Sequence, residues 1–336
     1  MSETQKPLKV GKDEAGLRLD RWFRLKFPEL THSFLQKMLR TGQIRVDSKR
    51  VKSNARLEAG QMVRVPPAVR GEVRDRPSVK PPPGLSKADR TVIENMIIFE
   101  DDDVLVLNKP FGLAVQGGTG TRRHIDGLLA GMVDRFGARP RLVHRLDRDT
   151  TGVLLVAKTR TAAATLGEVF RSRAAKKTYW ALVKGVPRPA QGKVEAALVK
   201  ASGPDGDHVR KAQAGEQDRA MHATTHYAVI ERVAHKAAWM SLKPVTGRQH
   251  QLRAHMDLLG HSIVADNKYP SEAIFDDAEI EEKLHLHARR LVIPHPSGKG
   301  TVDVTAPLPD HMRRTWAALG LDPDRYDADA DGQETP

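Results

Sequence analysis

The densest chemistry in the chain lies in one short run, His144-Arg145-Leu146-Asp147-Arg148-Asp149-Thr150-Thr151-Gly152, which leads straight into the apolar segment VLLVAK. Guanidinium groups beside a carboxylate support its negative charge. An apolar strand behind it can hold it rigidly. Such an aspartate can act as a nucleophile or a base. The same composition also suits turn and ion-pair roles for Asp147 and Asp149.

A second run is Thr246-Gly247-Arg248-Gln249-His250-Gln251-Leu252-Arg253-Ala254-His255. The spacing predicts a helix over 248–260, capped by Thr246. Arg248, Leu252 and His255 then share a face, as do Gln249 and Arg253. His250 and His255 are five apart and diverge on a helix, so they suit zinc poorly. His285 and His287 would share one face of a strand, where core or hydrogen-bonded roles fit better than metal ligation. No metal site is expected.

The residue inventory removes other chemistries. The 336 residues include no cysteine, which excludes disulfides, cysteine-ligated metals and a thiolate nucleophile. GGTG at 117–120 lacks the Lys-Ser/Thr of a phosphate loop, and there is no GxGxxG. No nucleotide cofactor is supported. The first ten residues do not read as a signal peptide, and no stretch reaches the length of a membrane span. A soluble cytoplasmic protein is expected.

The elements that must position these residues are mostly strands. IIFEDDDVLVLNKP reads as a hairpin. VLLVAKT (153–159), TYWALVKG (178–185), AVIERV (228–233), AWMSLKPV (238–245) and RRLVIPHP (289–296) are strands rich in β-branched and aromatic residues. A helix is predicted over TAAATLGEVFRS (161–172). Strands and helices do not alternate strictly, which predicts an α+β fold.

Charge divides the chain. Of the formal +13, residues 1–90 supply +11, from 21 Lys and Arg against 10 Asp and Glu. A basic module that captures a polyanion is expected there. Within it, LRLDRWF starts a first helix that Pro28 stops. A second helix, capped by Thr31 or Ser33, ends near Gly42, and IRVDSKRVKS then reads as strand, turn, strand. The expected organisation is a small nucleic-acid-binding unit at 1–66, a Pro/Arg-rich linker at 67–90, a large domain at 91–320 and an acidic, frayed tail at 321–336.

HRLDRDTTGVLLVAK resembles the HRLDR-x-T-S-G-L-L-V run of the RluA-type pseudouridine synthases. Three further segments resemble that family's motifs, in its order. They are NKPFGLAVQGG (108–118), KKTYWALVKG (176–185), and TGRQHQLRAHMDLLGHSIVADNKY (246–269) with LHLHARRLVIPHP (284–296). LRLDRWF, SFLQKMLRTGQIRVD and LEAGQMVRVP resemble the S4-type RNA-binding domain. Together the resemblance spans residues 10–310.

The resemblance implies a mixed, mainly antiparallel β-sheet with flanking helices and a central RNA cleft. It implies cofactor-free isomerisation of uridine to pseudouridine. Asp147 matches the catalytic aspartate, Tyr179 the tyrosine that stacks on the base, and Arg253 the basic residue that pairs with the aspartate. Arg145, Arg148 and Arg248 are expected to contact RNA. So are members of the N-terminal set Arg18, Arg21, Lys37, Arg40, Arg45, Lys49 and Arg50. The expected substrate is 23S ribosomal RNA, the expected state a monomer, and the subtype the C-type large-subunit enzymes. The D-type, which acts on one stem-loop, is the second choice.

Three residues depart from the family pattern: Gln116 for a frequent His, Thr151 for Ser, and Ala265 for a frequent Gly. Two other functions suit the chain less well. A non-catalytic RNA-binding assembly factor would not need the Asp147, Tyr179 and Arg253 set. A metal-dependent phosphodiesterase would have to use His144, Asp147 and Asp149. C5 methylation of uridine, which commonly uses a cysteine, fails on inventory.

Overall fold

The structure, a computed structural model, describes residues 7–11, 14–27, 30–66, 69, 85–117, 121, 123–203, 206–269 and 280–326. The chain divides into two compact units, 1–81 and 82–336.

In the first unit, helices α1 (Leu19–Lys26) and α2 (His32–Arg40) accompany strands β1 (Leu8–Lys9), β2 (Arg45–Val46) and β3 (Met62–Arg64). The strands form an antiparallel sheet in the order β1-β3-β2. Leu19, Trp22 and Phe23 of α1 bury their side chains in one core with Leu35, Met38, Ile44 and Val63. Thr31, and not Ser33, caps α2: its hydroxyl oxygen accepts from the Phe34 amide at 3.3 Å. The hairpin predicted over IRVDSKRVKS does not form as such. Asp47 and Ser48 both take left-handed backbone, at φ 47° and 66°. Lys49 then makes a single bridge to Val46, and β2 pairs with β3 instead.

The second unit runs α3 (Lys87–Met96), β4 (Ile97–Glu100), β5 (Val104–Lys109), α4 (Ile125–Ala130), α5 (Val133–Phe136), β6 (Arg141–Leu142), β7 (Thr151–Ala157), α6 (Arg160–Arg171), β8 (Lys176–Lys184), β9 (Gln191–Gly203), β10 (Gly206–Lys211), β11 (Met221–Val233), β12 (Ala237–Pro244), α7 (Gln251–Leu258), β13 (Leu286–Pro294), β14 (Thr301–Thr305) and α8 (Asp310–Ala318). The main sheet has the order β10-β9-β11-β12-β8-β13-β7-β5-β4, with β14 on β13 and β6 on β7. The pairing is antiparallel throughout the described strands except between β13 and β7. This is the mixed, mainly antiparallel sheet that the resemblance implied. Val104–Leu107 of β5 and Val153–Ala157 of β7, near the β4 end of the sheet, are buried and pack helices on both faces.

The parallel step is where the Asp147 run enters the sheet. Gly152 has φ 104°, and a Cβ on it would lie 2.2 Å from the Ala288 carbonyl oxygen of β13. Only glycine fits there.

Three sequence expectations change. Helix α3 begins at Lys87, so the end of the stretch read as linker is ordered; residues 70–84 lie outside the described set. The tail does not begin at 321. Leu321 is buried, Pro323–Arg325 form a helical turn, and the Tyr326 ring lies edge-on to Trp239 at 5.1 Å. The acidic run 327–336 lies outside the described residues. Finally, α7 starts at Gln251, not 248.

Candidate active site

The Asp147 turn lies between β6 and β7, closed by a hydrogen bond from the Thr150 amide to the Asp147 carbonyl at 3.2 Å. Its supports are buried. Lys109, at the end of β5, is fully buried, and its ammonium donates to the carbonyl oxygens of Pro110, Leu113 and Arg148 at 2.9, 3.0 and 2.7 Å. Three donors meet three acceptors, which ties the turn to the sheet. Burial lowers the Lys109 pKa to about 7, against the attraction of Asp149 and Asp147. The Thr151 hydroxyl donates to His287 Nδ1 at 2.8 Å, while His287 Nε2 donates to the Ala306 carbonyl at 3.2 Å. Thr151 thus does with its hydroxyl what a serine could do. His144 Nε2 accepts from the Leu155 amide at 2.8 Å, and its ring stacks on Phe170. Burial lowers the His144 pKa to about 3, so the ring is a neutral acceptor.

A cavity of about 520 Å³ opens over this turn, and its walls include Arg145, Asp147, Tyr179, Arg248, His250 and Arg253. Tyr179 projects from β8, beside β13. Burial, then the nearby Asp147 charge, push its hydroxyl above the ordinary range, so it stays neutral. A neutral ring beside the carboxylate is a surface on which a base can stack.

Arg253 stands on α7 and is buried. Its Nε and Nη2 donate to Asp266 at 2.7 and 2.5 Å, and Nη2 also donates to Asn267 at 3.2 Å. Burial opposes its charge, but the Asp266 hydrogen bonds and charge outweigh that and raise its pKa. The expected direct pair with Asp147 is therefore replaced by a bidentate pair with Asp266, whose side chain is 0% exposed. Asp147 acts on Arg253 through space. In the same wall stands His250, whose Nε2 lies 4.0 Å from Asp147 Oδ2. Burial lowers the pKa of His250, while Asp147 works the other way.

The loop before α7 is held from below. Buried Gln251 accepts from the Thr246 hydroxyl and the Arg248 amide at 2.7 and 3.0 Å, and donates to Thr224 and Thr225 of β11 at 2.9 and 3.0 Å. Thr246 is thus part of a loop staple and not the predicted helix cap. Arg248 and Gln249 precede the helix, so the predicted shared faces do not exist. His250, just before α7, takes left-handed backbone at φ 50°. Tyr269, with the Arg253 guanidinium over its ring and the His250 ring edge-on to it, donates its hydroxyl to the Val209 carbonyl at 2.5 Å and so joins β10 to the site.

The arginines differ in their partners. Arg148 is turned out of the cavity toward Asp149 at 3.0 Å. Arg248 donates to the His222 carbonyl at 3.2 Å. In the first unit, Arg18, Lys37 and Arg40 line a shallow groove with Lys52. Arg18 is also paired with Asp20 at 2.7 Å. Arg45 bonds the Gly42 and Ser48 carbonyls at 3.1 and 3.2 Å. Arg21, Lys49 and Arg50 do not line the groove. Sequence reasoning missed Lys109, Asp266 and Gln251, although all three fall inside the quoted motifs.

Comparison with known proteins gives a consistent picture. A family model described as RNA pseudouridylate synthase matches residues 103–258. The "Ribosomal large subunit pseudouridine synthase C" of Vibrio cholerae (strain El Tor Inaba N16961) is 37% identical over 314 residues, which is 92% of this chain and 95% of that protein. The protein of the same name from Escherichia coli K12 is 38% identical over 320 residues, 91% and 94% of the two chains. Among solved structures, human RNA pseudouridylate synthase domain containing 4 matches with a TM-score of 0.58 and 27% identity. It covers 71% of this chain and 99% of its own.

Proposed function

The chain belongs to the RluA-type RNA pseudouridylate synthases, and on that premise we propose that it isomerises specific uridines of 23S ribosomal RNA with Asp147 as the reacting carboxylate. The reaction breaks the N1–C1′ bond, turns the uracil, joins C5 to C1′ and moves the C5 proton to solvent while N1 gains one. Nothing is oxidised and no group is imported. Asp147 can either add covalently to the nucleotide or remove a proton to open a glycal-like path; its position suits both.

The observation that carries this reading is the meeting of Asp147, Tyr179 and His250 in one basic cavity, together with relatives that match over nine-tenths of the chain. Flipping the target base out of its stack costs a few kcal/mol, and stacking on Tyr179 recovers part of it. Arg253, fixed by Asp266, keeps its guanidinium within electrostatic reach of Asp147. We read the first unit as an S4-type module at 1–66 that holds structured rRNA through the Arg18, Lys37 and Arg40 groove. Its support is the two helices on a small antiparallel sheet and the +11 charge of residues 1–90. The catalytic unit on this reading runs from α3 through residue 326, and the enzyme works in the cytoplasm as a monomer.

The test is pseudouridine mapping of large-subunit rRNA from cells with and without this protein, and with Asp147→Asn in its place. Discrete pseudouridines should vanish in both altered strains. Unchanged maps would refute the reading.

A further inference from the structure

We propose that Lys177, with Arg173 and Arg145, forms an anion subsite that grips a backbone phosphate next to the target uridine. This rests on the functional reading above. Lys177 and Tyr179 lie two residues apart on β8, so both side chains leave the same face, about 7 Å apart. Both line the cavity that holds Asp147. The Lys177 charge also acts on half-buried His144, the residue before Arg145, and both line the cavity over the Asp147 turn.

Charge at this end of the cavity is unbalanced. Arg253 is paired with Asp266, Arg148 with Asp149 and Arg171 with Glu168. Lys177, Arg173 and Arg145 have no carboxylate partner among the described residues. Lys177 is half-buried, and that burial lowers its pKa. A partly desolvated ammonium without a counter-ion gains from an anion that completes it. The arrangement offers an anion site one nucleotide step from the base-stacking ring, and the anion repeated along RNA at that scale is phosphate. Arg173, in the turn between α6 and β8, and Arg145, next to His144 in the chain, are exposed and line the same cavity, so both can close around it from the solvent side.

The test uses a synthetic RNA that carries one mapped target uridine, with neutral methylphosphonate replacing one flanking phosphate at a time. Binding is measured for the full chain and for Lys177→Gln. One of the two replacements should weaken the unaltered protein about tenfold, the worth of one charge-assisted contact. The same replacement should cost Lys177→Gln less than about twofold, because the contact is already gone. Lys177→Gln should also lower the salt slope of binding by about 0.7, one phosphate's share for single strands. Lys177→Arg should restore both, which separates a charge contact from a packing role. Equal losses in both proteins for both replacements, or an unchanged salt slope, would overturn the proposal. Pseudouridine formation by the unaltered protein, read on the same RNA, tests the functional reading separately.

Discussion

The two units of this chain use positive charge in opposite ways. In the catalytic unit, two cations behind the Asp147 turn and in the cavity wall are buried and committed: Lys109 to three carbonyls, Arg253 to Asp266. In the first unit, Lys37 and Arg40 line an open groove that water reaches. Buried, hydrogen-bonded charge fixes geometry, and its loss leaves a costly orphan. Exposed charge attracts a polyanion from a distance and is screened by salt. Positioning and capture are therefore separable, and each can be broken without the other.

The largest expected effect is on conversion. Asp147→Asn should reduce pseudouridine formation by more than about a thousandfold, as loss of a reacting group does, with RNA affinity within a few-fold. Asp266→Ala comes next, since it strands buried Arg253. It should destabilise the catalytic unit by about 3–5 kcal/mol in a denaturant titration, with no change in the salt dependence of binding. Removing residues 1–81 should weaken rRNA binding by about tenfold or more and flatten its salt slope.

A smaller effect concerns pH. Burial pushes His144, His285 and His287 down to about 3. The unfolded chain takes up their protons near 6.5 while the folded chain does not. Stability is thus fully present above about pH 6.5 and falls as pH drops from there toward 3, by at most about 1.4 kcal/mol per histidine per pH unit. Denaturation midpoints at pH 7 and pH 5 check this. The smallest effect is at Ala265, held at φ 56° beside Asp266. Ala265→Gly removes left-handed strain but loosens the unfolded chain, for a net gain of about 0.5 kcal/mol.

How much of this was legible in the sequence follows from what each feature depends on. β7, β8, β12 and β13 show themselves through runs of β-branched and aromatic residues. β9, QGKVEAALVKASG, does not, because its Ala, Lys and Glu favour helix; pairing with β10 and β11 overrides that preference. Asp147, Tyr179 and Arg253 stand out through motif resemblance alone, since their spacing suits plain turn and core roles as well. Lys109 left no trace of its role, because its partners are backbone carbonyls. The Arg253–Asp266 pair was hidden for a different reason. The resemblance pairs Arg253 with Asp147, whereas the loop through Ala265, at φ 56°, brings Asp266 to it instead.

The division between positioning and capture is tested most directly by one paired measurement on two proteins, full-length Asp147→Asn and the 82–336 truncation. For each, pseudouridine yield at saturating RNA and the dissociation constant are read on the same rRNA fragment. The predicted pattern crosses. Asp147→Asn binds within a few-fold of the unaltered chain and converts nothing, while the truncation binds at least about tenfold more weakly and still converts. Conversion by Asp147→Asn, or a truncation that binds as tightly as the full chain with the same salt slope, would contradict it.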